Sequence, residues 1–478
     1  MKKKLLPALI VTGLIILVVI IMGITALINK YTPTKKTEDL KEYFNISSDD
    51  EAALIVDNEL SDYKAKIIDK KIYVDYKFVH DSLNSRFYWD ANENVLLYTT
   101  ASDIISAAAD SYSVTKQTND FGYPIVKATS DSALIALDYV KQYSNITFKS
   151  YDDPARIVIT SKWDEIDSAT VSKSTQVRVK GGIKSPILKE VKKDDKITIL
   201  DSGDKWDKVA TEDGVIGYIK RKALSESKKT KLTNPDYEEE TFTHIKKDKD
   251  ICLAWNQVTS QSANSKVPQV ISSTKGINVM SPTWFYLNDN NGNLADIASK
   301  DYVSYCHSQG IEVWGLFSNF ENTDVDAAYV LTHTSTRTTL INQIMSAAFN
   351  YELDGVNIDF ENITEAAYGD SYIEFIRELA IKCHNNGISL SVDVTVPASF
   401  NKFFNRSDMA NFADYIVIMG YDEHYKGSDA GSVSSIPWVT EGVESTLKEV
   451  PADQIILGMP FYTRIWELTP KEDDDAVT

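Results

Sequence analysis

Leu353-Asp354-Gly355-Val356-Asn357-Ile358-Asp359-Phe360-Glu361 is the stretch that decides the fold. Val356, Ile358 and Phe360 alternate with Asn357, Asp359 and Glu361, and a period of two marks a β-strand. One face is large and apolar. The other carries an amide and two carboxylates in a row. That second face cannot enter an apolar core, because unpaired buried charge is costly. Polar groups at the C-terminal end of an otherwise buried strand are what a closed parallel barrel presents to its active site.

Asp359 and Glu361 are two residues apart on one face, which puts their Cα atoms roughly 6.5 Å apart. Carboxylates that close raise each other's proton affinity. One then stays protonated near neutrality while its neighbour stays ionised, the arrangement that cleavage of a glycosidic bond requires.

The same stretch resembles the signature of glycoside hydrolase family 18, the chitinase-like barrels, commonly Asp-Gly-x-Asp-x-Asp-x-Glu. Asp354, Gly355, Asp359 and Glu361 match it, and Asn357 stands where most members have Asp. Met419-Gly420-Tyr421-Asp422 is similar to the family's Met-x-Tyr-Asp, and Gly458-Met459-Pro460-Phe461-Tyr462 to its Gly-x-Pro-x-Tyr. The wording around Asn357 resembles the bacterial branch that holds spore-cortex glucosaminidases. The resemblance implies retaining hydrolysis assisted by the substrate. The six His show no metal-ligand spacing, and no metal and no cofactor are expected. Glu361 would protonate the leaving oxygen, Asp359 would orient the acetamido group, and Tyr421 would bond its carbonyl. Asp422 would contact the sugar. Asn357 would hydrogen-bond Asp359 without sharing a proton, so Asn357→Asp is expected to be tolerated. Asp354, Met419, Tyr462 and Trp284 are the candidate substrate-binding residues. The alternative is an inactive, lectin-like wall-binding protein, against which the retained acid at Glu361 argues.

Around this strand, apolar runs alternate with helical periodicity. Strands are expected at 251–258, 277–287, 312–318, 353–361, 389–396, 415–421 and 455–462, with helices clearest over 337–350 and 372–385. Repeated βα units predict a (β/α)₈ TIM barrel over 249–478. Only Glu467 to Thr478, rich in Asp, follows the seventh strand, so the barrel is expected to be truncated after strand seven.

The chain has 478 residues, too many for one core, and a multidomain protein is expected. Its formal charge of −19 is uneven. Residues 171–231 hold 16 Lys or Arg against 9 Asp or Glu, and no nucleic-acid footprint is visible elsewhere. Residues 1–4 hold three lysines and precede an uncharged run at 5–28, long enough to span a bilayer. The lysines place the N-terminus in the cytoplasm and the rest outside the cell, a single-pass membrane protein.

A linker at 29–44 then leads to a small α/β domain at 45–163, including a helix over 131–143 capped by Ser130. Its strand order resembles the stalk domain at the N-terminus of copper amine oxidases, without copper chemistry. Residues 171–225 carry Trp206, Gly214, Gly217 and Tyr218 in short strands with glycine turns, a pattern that resembles a bacterial SH3-like barrel. Its positive charge suits an anionic cell-wall polymer. A charged connector is expected at 226–248. The partners are therefore a polysaccharide substrate (peptidoglycan or chitin-like), a wall polymer and the membrane. Cys252, Cys306 and Cys383 are too sparse for a disulfide framework and are expected as buried thiols.

Overall fold

The computed structural model of the protein describes residues 2–116, 120–361, 363 and 368–467; the acidic end after Glu467 lies outside them. The chain forms two compact units, residues 1–84 with 134–239, and residues 85–133 with 240–478. The stretch 45–163, expected as one domain, is thus divided between the two.

The first unit begins with α1 (Lys2–Tyr31), whose segment Leu9–Tyr31 has a mean hydropathy of 2.9 and is long and apolar enough to cross a membrane. The residues after it do not form a free linker throughout. The Thr34 N–H donates to the Ile183 carbonyl, Ile187 N–H to Lys36, and Glu38 N–H to Ile187, each at 2.8 Å. Phe44 is buried in a core shared by Ile55, Val177, Val209 and Ile219, so the α/β part and the second module pack as one body. That module is antiparallel throughout, from Glu165–Thr170 to Lys228–Lys231, so part of the expected connector is a strand. The helix expected over 131–143 starts only at Leu137. Its first half is the strand Ala133–Ala136, which pairs antiparallel with Lys71–Asp75. Tertiary pairing overrides the helical pattern there.

The second unit is built on a half-barrel parallel sheet. Its strands are β1 (Leu253–Asn256), β2 (Val279–Leu287), β3 (Glu312–Ser318), β4 (Gly355–Asp359), β5 (Ser389–Thr395), β6 (Tyr415–Met419) and β7 (Ile455–Gly458). They lie side by side in sequence order, all parallel, as right-handed βα crossovers dictate. Helix α2 (Thr334–Tyr351) connects β3 to β4, and α3 (Gly369–His384) connects β4 to β5.

The apolar face of β4 packs outward on the helices. Val356, Ile358 and Phe360 are buried, and Phe360 stacks on Tyr372 and Phe375 of α3 at 6.2 and 5.4 Å. Thirteen of the sixteen residues of α3 are buried, which a helix covered only on its sheet side does not achieve. The second cover is a three-stranded antiparallel sheet, Phe87–Asp90, Val95–Thr99 and Ile104–Ala108. Thr99 donates to Glu374 at 2.6 Å, and the Tyr88 and Ser371 hydroxyls are bonded at 2.9 Å. Glu374 also pairs with Arg377, which reaches Asp408. The expectation of three buried thiols holds for Cys306 and Cys383; Cys252, just before β1, is exposed.

Candidate active site

Side chains from β1, β2 and β5, and from the segment after β6, meet on the polar face of β4. Asn357 is fully buried. Its Oδ1 accepts from the Trp255 indole N–H of β1 and the Ser281 hydroxyl of β2, both at 3.0 Å. Its Nδ2 donates to Ser391 Oγ at 3.0 Å and Asp393 Oδ1 at 2.7 Å, both on β5. An amide has two donors and two acceptor sites. All four are therefore taken, and the expected bond from Asn357 to Asp359 does not form.

Asp359 ends β4 with Oδ1 buried and unpartnered. Burial, then the charges of Asp393, Glu361 and Glu321, hold its proton affinity well above the usual carboxylate range. It lies in hydrogen-bonding contact with Glu361, a contact that raises the proton affinity of Asp359 and lowers that of Glu361. Glu361 itself is at the exposed end of the face. Burial of its carboxyl and the nearby Asp422 raise its proton affinity, and the bond from Asp359 lowers it. Asp393 is buried and pushed up to about 8 by desolvation, against the lowering effect of Asn357 and Trp255.

Tyr421 follows β6. Its ring stands edge-on to Trp255 at 6.2 Å and to Tyr462 at 6.2 Å, and burial followed by the charges of Asp393, Asp359 and Glu361 raises its phenol. Asp422 has a left-handed backbone, φ 62°, uncommon for a residue with a side chain. Its Oδ1 accepts from Tyr462 Oη at 2.7 Å and Arg464 at 2.5 Å. Met419 is buried at the end of β6.

Two expected binding residues are not brought to this cluster. Asp354 lies at the opposite end of β4, where Oδ2 accepts the Val313 N–H and pairs with His307, both at 2.8 Å. It stitches β3 to β4. Trp284 is wholly buried on the outer side of β2, donating to Asn264 at 2.8 Å and packed on Tyr302. Sequence reasoning missed Asp393, Trp255, Ser281 and Ser391. The alternation Ser389-Leu-Ser-Val-Asp-Val-Thr carried the signal for Asp393, with every polar residue on one face. No cluster of metal-ligating side chains occurs among the described residues.

A parallel half-barrel whose central strand ends in a hydrogen-bonded carboxyl pair defines a glycoside hydrolase type of site. Residues 321–478 match the family model of the glycosyl hydrolases family 18. The chain is similar to the uncharacterized glycosylase YvbX of Bacillus subtilis, 25% identical over 194 residues, 38% of this chain and 55% of that one. It is 26% identical over 187 residues to the cortical fragment-lytic enzyme of the same organism, covering 37% of this chain and 43% of the relative. Among solved structures, the spore cortex-lytic enzyme SleL of Bacillus megaterium aligns with a TM-score of 0.38 and 20% identity, over 43% of this chain and 49% of that one. The chain spans about half the length of these curated relatives. The family match and the relatives support a glycoside hydrolase.

Proposed function

We propose that the chain is a membrane-anchored extracellular glycosidase that hydrolyses β-1,4 bonds next to N-acetylglucosamine, by substrate-assisted retention. The observation that carries this reading is the contact of the Asp359 and Glu361 carboxyls at the open end of β4. Two carboxyls in direct contact leave no room for a sugar ring between them. One is then the acid, and the nucleophile is the substrate's own acetamido oxygen, a recognised exception to the two-carboxylate scheme.

The proton moves first from Asp359 to Glu361 along their hydrogen bond. Glu361 gives it to the glycosidic oxygen as the bond to the anomeric carbon breaks and the acetamido oxygen closes onto that carbon. Asp359, now ionised, accepts the acetamido N–H, and Tyr421 donates to its carbonyl. Water then opens the ring, its proton returns to Glu361, and configuration is retained. Asp422, held by Tyr462 and Arg464, contacts the sugar.

The cortical fragment-lytic relative supports peptidoglycan over chitin as the glycan. The antiparallel module of the first unit would bind an anionic wall polymer. A groove of about 510 Å³ there is lined by Trp206, Lys205, Lys220, Arg221 and Lys222, with the Lys220 ammonium 5.7 Å from the Trp206 ring centre. Helix α1 would hold the chain in the cell membrane with residues 1–4 in the cytoplasm.

The test is release of reducing ends from purified peptidoglycan and from chitin oligomers. Glu361→Gln is expected to keep glycan affinity and lose about 10²–10⁴ in rate, the usual worth of a positioned general acid. Asp359→Asn is expected to lose at least as much. Wild-type turnover by Glu361→Gln sinks the assignment, and binding without any cleavage by the wild type leaves the lectin-like alternative. Protease added to intact cells should remove the ectodomain; full protection refutes the topology.

A further inference from the structure

The family pattern places an aspartate at 357, next to Asp359 on the same strand face; this chain has an amide there and a carboxylate one strand over. We propose that Asp393 on β5 is the carboxylate partner of Asp359, taking the place that the family pattern gives to an aspartate at position 357, with Asn357 holding it there. The proposal rests on the role read for Asp359 above.

The hydrogen bonds fix which way the amide points. The Trp255 indole N–H only donates, so the Asn357 oxygen faces β1 and β2 and its NH₂ group faces β5. An aspartate at 357 would turn a carboxylate oxygen onto Asp393 Oδ1, at the 2.7 Å separation now bridged by an N–H. Two carboxylates that close need a shared proton. An amide at 357 and an acid at 393 therefore complement each other: the site keeps one carboxyl at this depth, moved from β4 to β5.

The groups facing Asp393 are Asn357, Asp359 and Glu361 of the β4 segment, Trp255 of β1, Tyr421 after β6 and Tyr372 of α3. No Lys or Arg is among them. With no cation to offset it, the Asp393 charge is the first of the charges acting on Asp359. Holding its own proton up to about pH 8, Asp393 limits the buried pair to one negative charge when Asp359 ionises, and once ionised it keeps the proton on Asp359. Asp393 is thus a positioning residue that acts through Asp359.

The experiment uses the full chain, wild type beside Asp393→Asn and the exchange Asn357→Asp/Asp393→Asn, which keeps one acid and one amide at the two positions. Thermal unfolding is followed from pH 5 to 8.5. Asp393 binds its proton far more tightly folded, up to about 8, than unfolded, about 3.9. Its contribution to stability is therefore present at low pH and lost as pH rises through 8. Wild-type Tm should fall across this window. Asp393→Asn should flatten the fall, and the exchange should restore it. Equal displacement of the Asp393→Asn curve at every pH, with no recovery in the exchange, would mean a merely structural hydrogen bond and overturns the proposal.

The second readout is the pH profile of hydrolysis. Above the pH at which Asp393 ionises, removing its charge lowers the proton affinity of Asp359, so the alkaline limb should move to lower pH in Asp393→Asn and return in the exchange. An unmoved limb in an active Asp393→Asn also overturns the proposal. If the wild type shows the melting pattern and hydrolyses neither polymer, the carboxyl pairing stands and the glycosidase reading fails.

Discussion

At the residue scale, β4 carries two kinds of information in alternate positions. Asn357 and Asp359 belong to the chemistry, while Gly355 belongs to packing. A Cβ at Gly355 would lie 2.6 Å from the Trp314 ring, which is fully buried on β3. Gly355→Ala is expected to destabilise by about 1–3 kcal/mol, the range for overpacking a tight core. A melting curve unchanged from wild type would show that Trp314 can move aside. The structure also reverses one expectation from the family pattern. Asn357→Asp alone restores the commoner residue, yet sets two carboxyls face to face with Asp393, so it is expected to lower Tm increasingly as pH rises toward 8. The placement of Asn357, Asp359 and Glu361 on one face was legible because strand period alone determines it. Asp354 and Trp284 were not separable from the site in sequence. Which end of a strand faces the cleft, and which side of β2 faces the helices, depend on neighbours that the local pattern does not name.

At the scale of elements, the seven strands were legible to within four residues at every end, since each is an apolar run between helical stretches. What local pattern does not reveal is how α2 begins. His333, its N-cap, makes no side-chain capping bond. The first N–H groups instead donate to carboxylates more than two hundred residues earlier: Thr334 to Asp90 at 2.6 Å and Ser335 to Glu93 at 3.0 Å. The negative charges also suit the positive end of the helix dipole. Asp90→Ala is expected to cost about 1–2 kcal/mol, as loss of an N-cap does, and Glu93→Ala less, because it is only half-buried whereas Asp90 is buried. Native-state hydrogen exchange should then speed up in the first turn of α2 while β4 keeps its protection. Unchanged exchange at Thr334 and Ser335 would show that water replaces the cap without loss.

At the scale of the whole molecule, the unit that carries the active site is discontinuous in sequence. The chain leaves the first unit after Asn84, builds the sheet of residues 87–108, returns, and re-enters at Glu240. Composition gave no sign of this, because residues 85–133 have the same mixed pattern as the strands on either side. Their role follows from α3. Glu374 is fully buried beneath the inserted sheet, and its carboxylate is satisfied by Thr99 from that sheet and by Arg377. Arg377 Nη2 in turn donates to the Ser85 carbonyl. Arg86 pairs with Glu240, and the Ala101 N–H donates to the same carboxylate at 2.6 Å, which pins the point of re-entry. A fragment of residues 240–467 would keep the Glu374–Arg377 pair but lose Thr99, the Ser85 carbonyl, Arg86 and the Ala101 N–H at once, and expose the apolar back of α3 to water. Leaving a buried charged group short of a hydrogen-bond partner costs about 1–3 kcal/mol, and loss of both α2 caps adds about 1–2 kcal/mol. For a unit of this size, 1 kcal/mol moves Tm by about 2–4 °C. The fragment is therefore expected to melt several degrees below the same unit in the full chain, or to aggregate. Supplying residues 85–133 through a flexible linker should recover most of that loss. Equal melting of the fragment and the full chain would mean that the inserted sheet is only an ornament on a self-sufficient half-barrel.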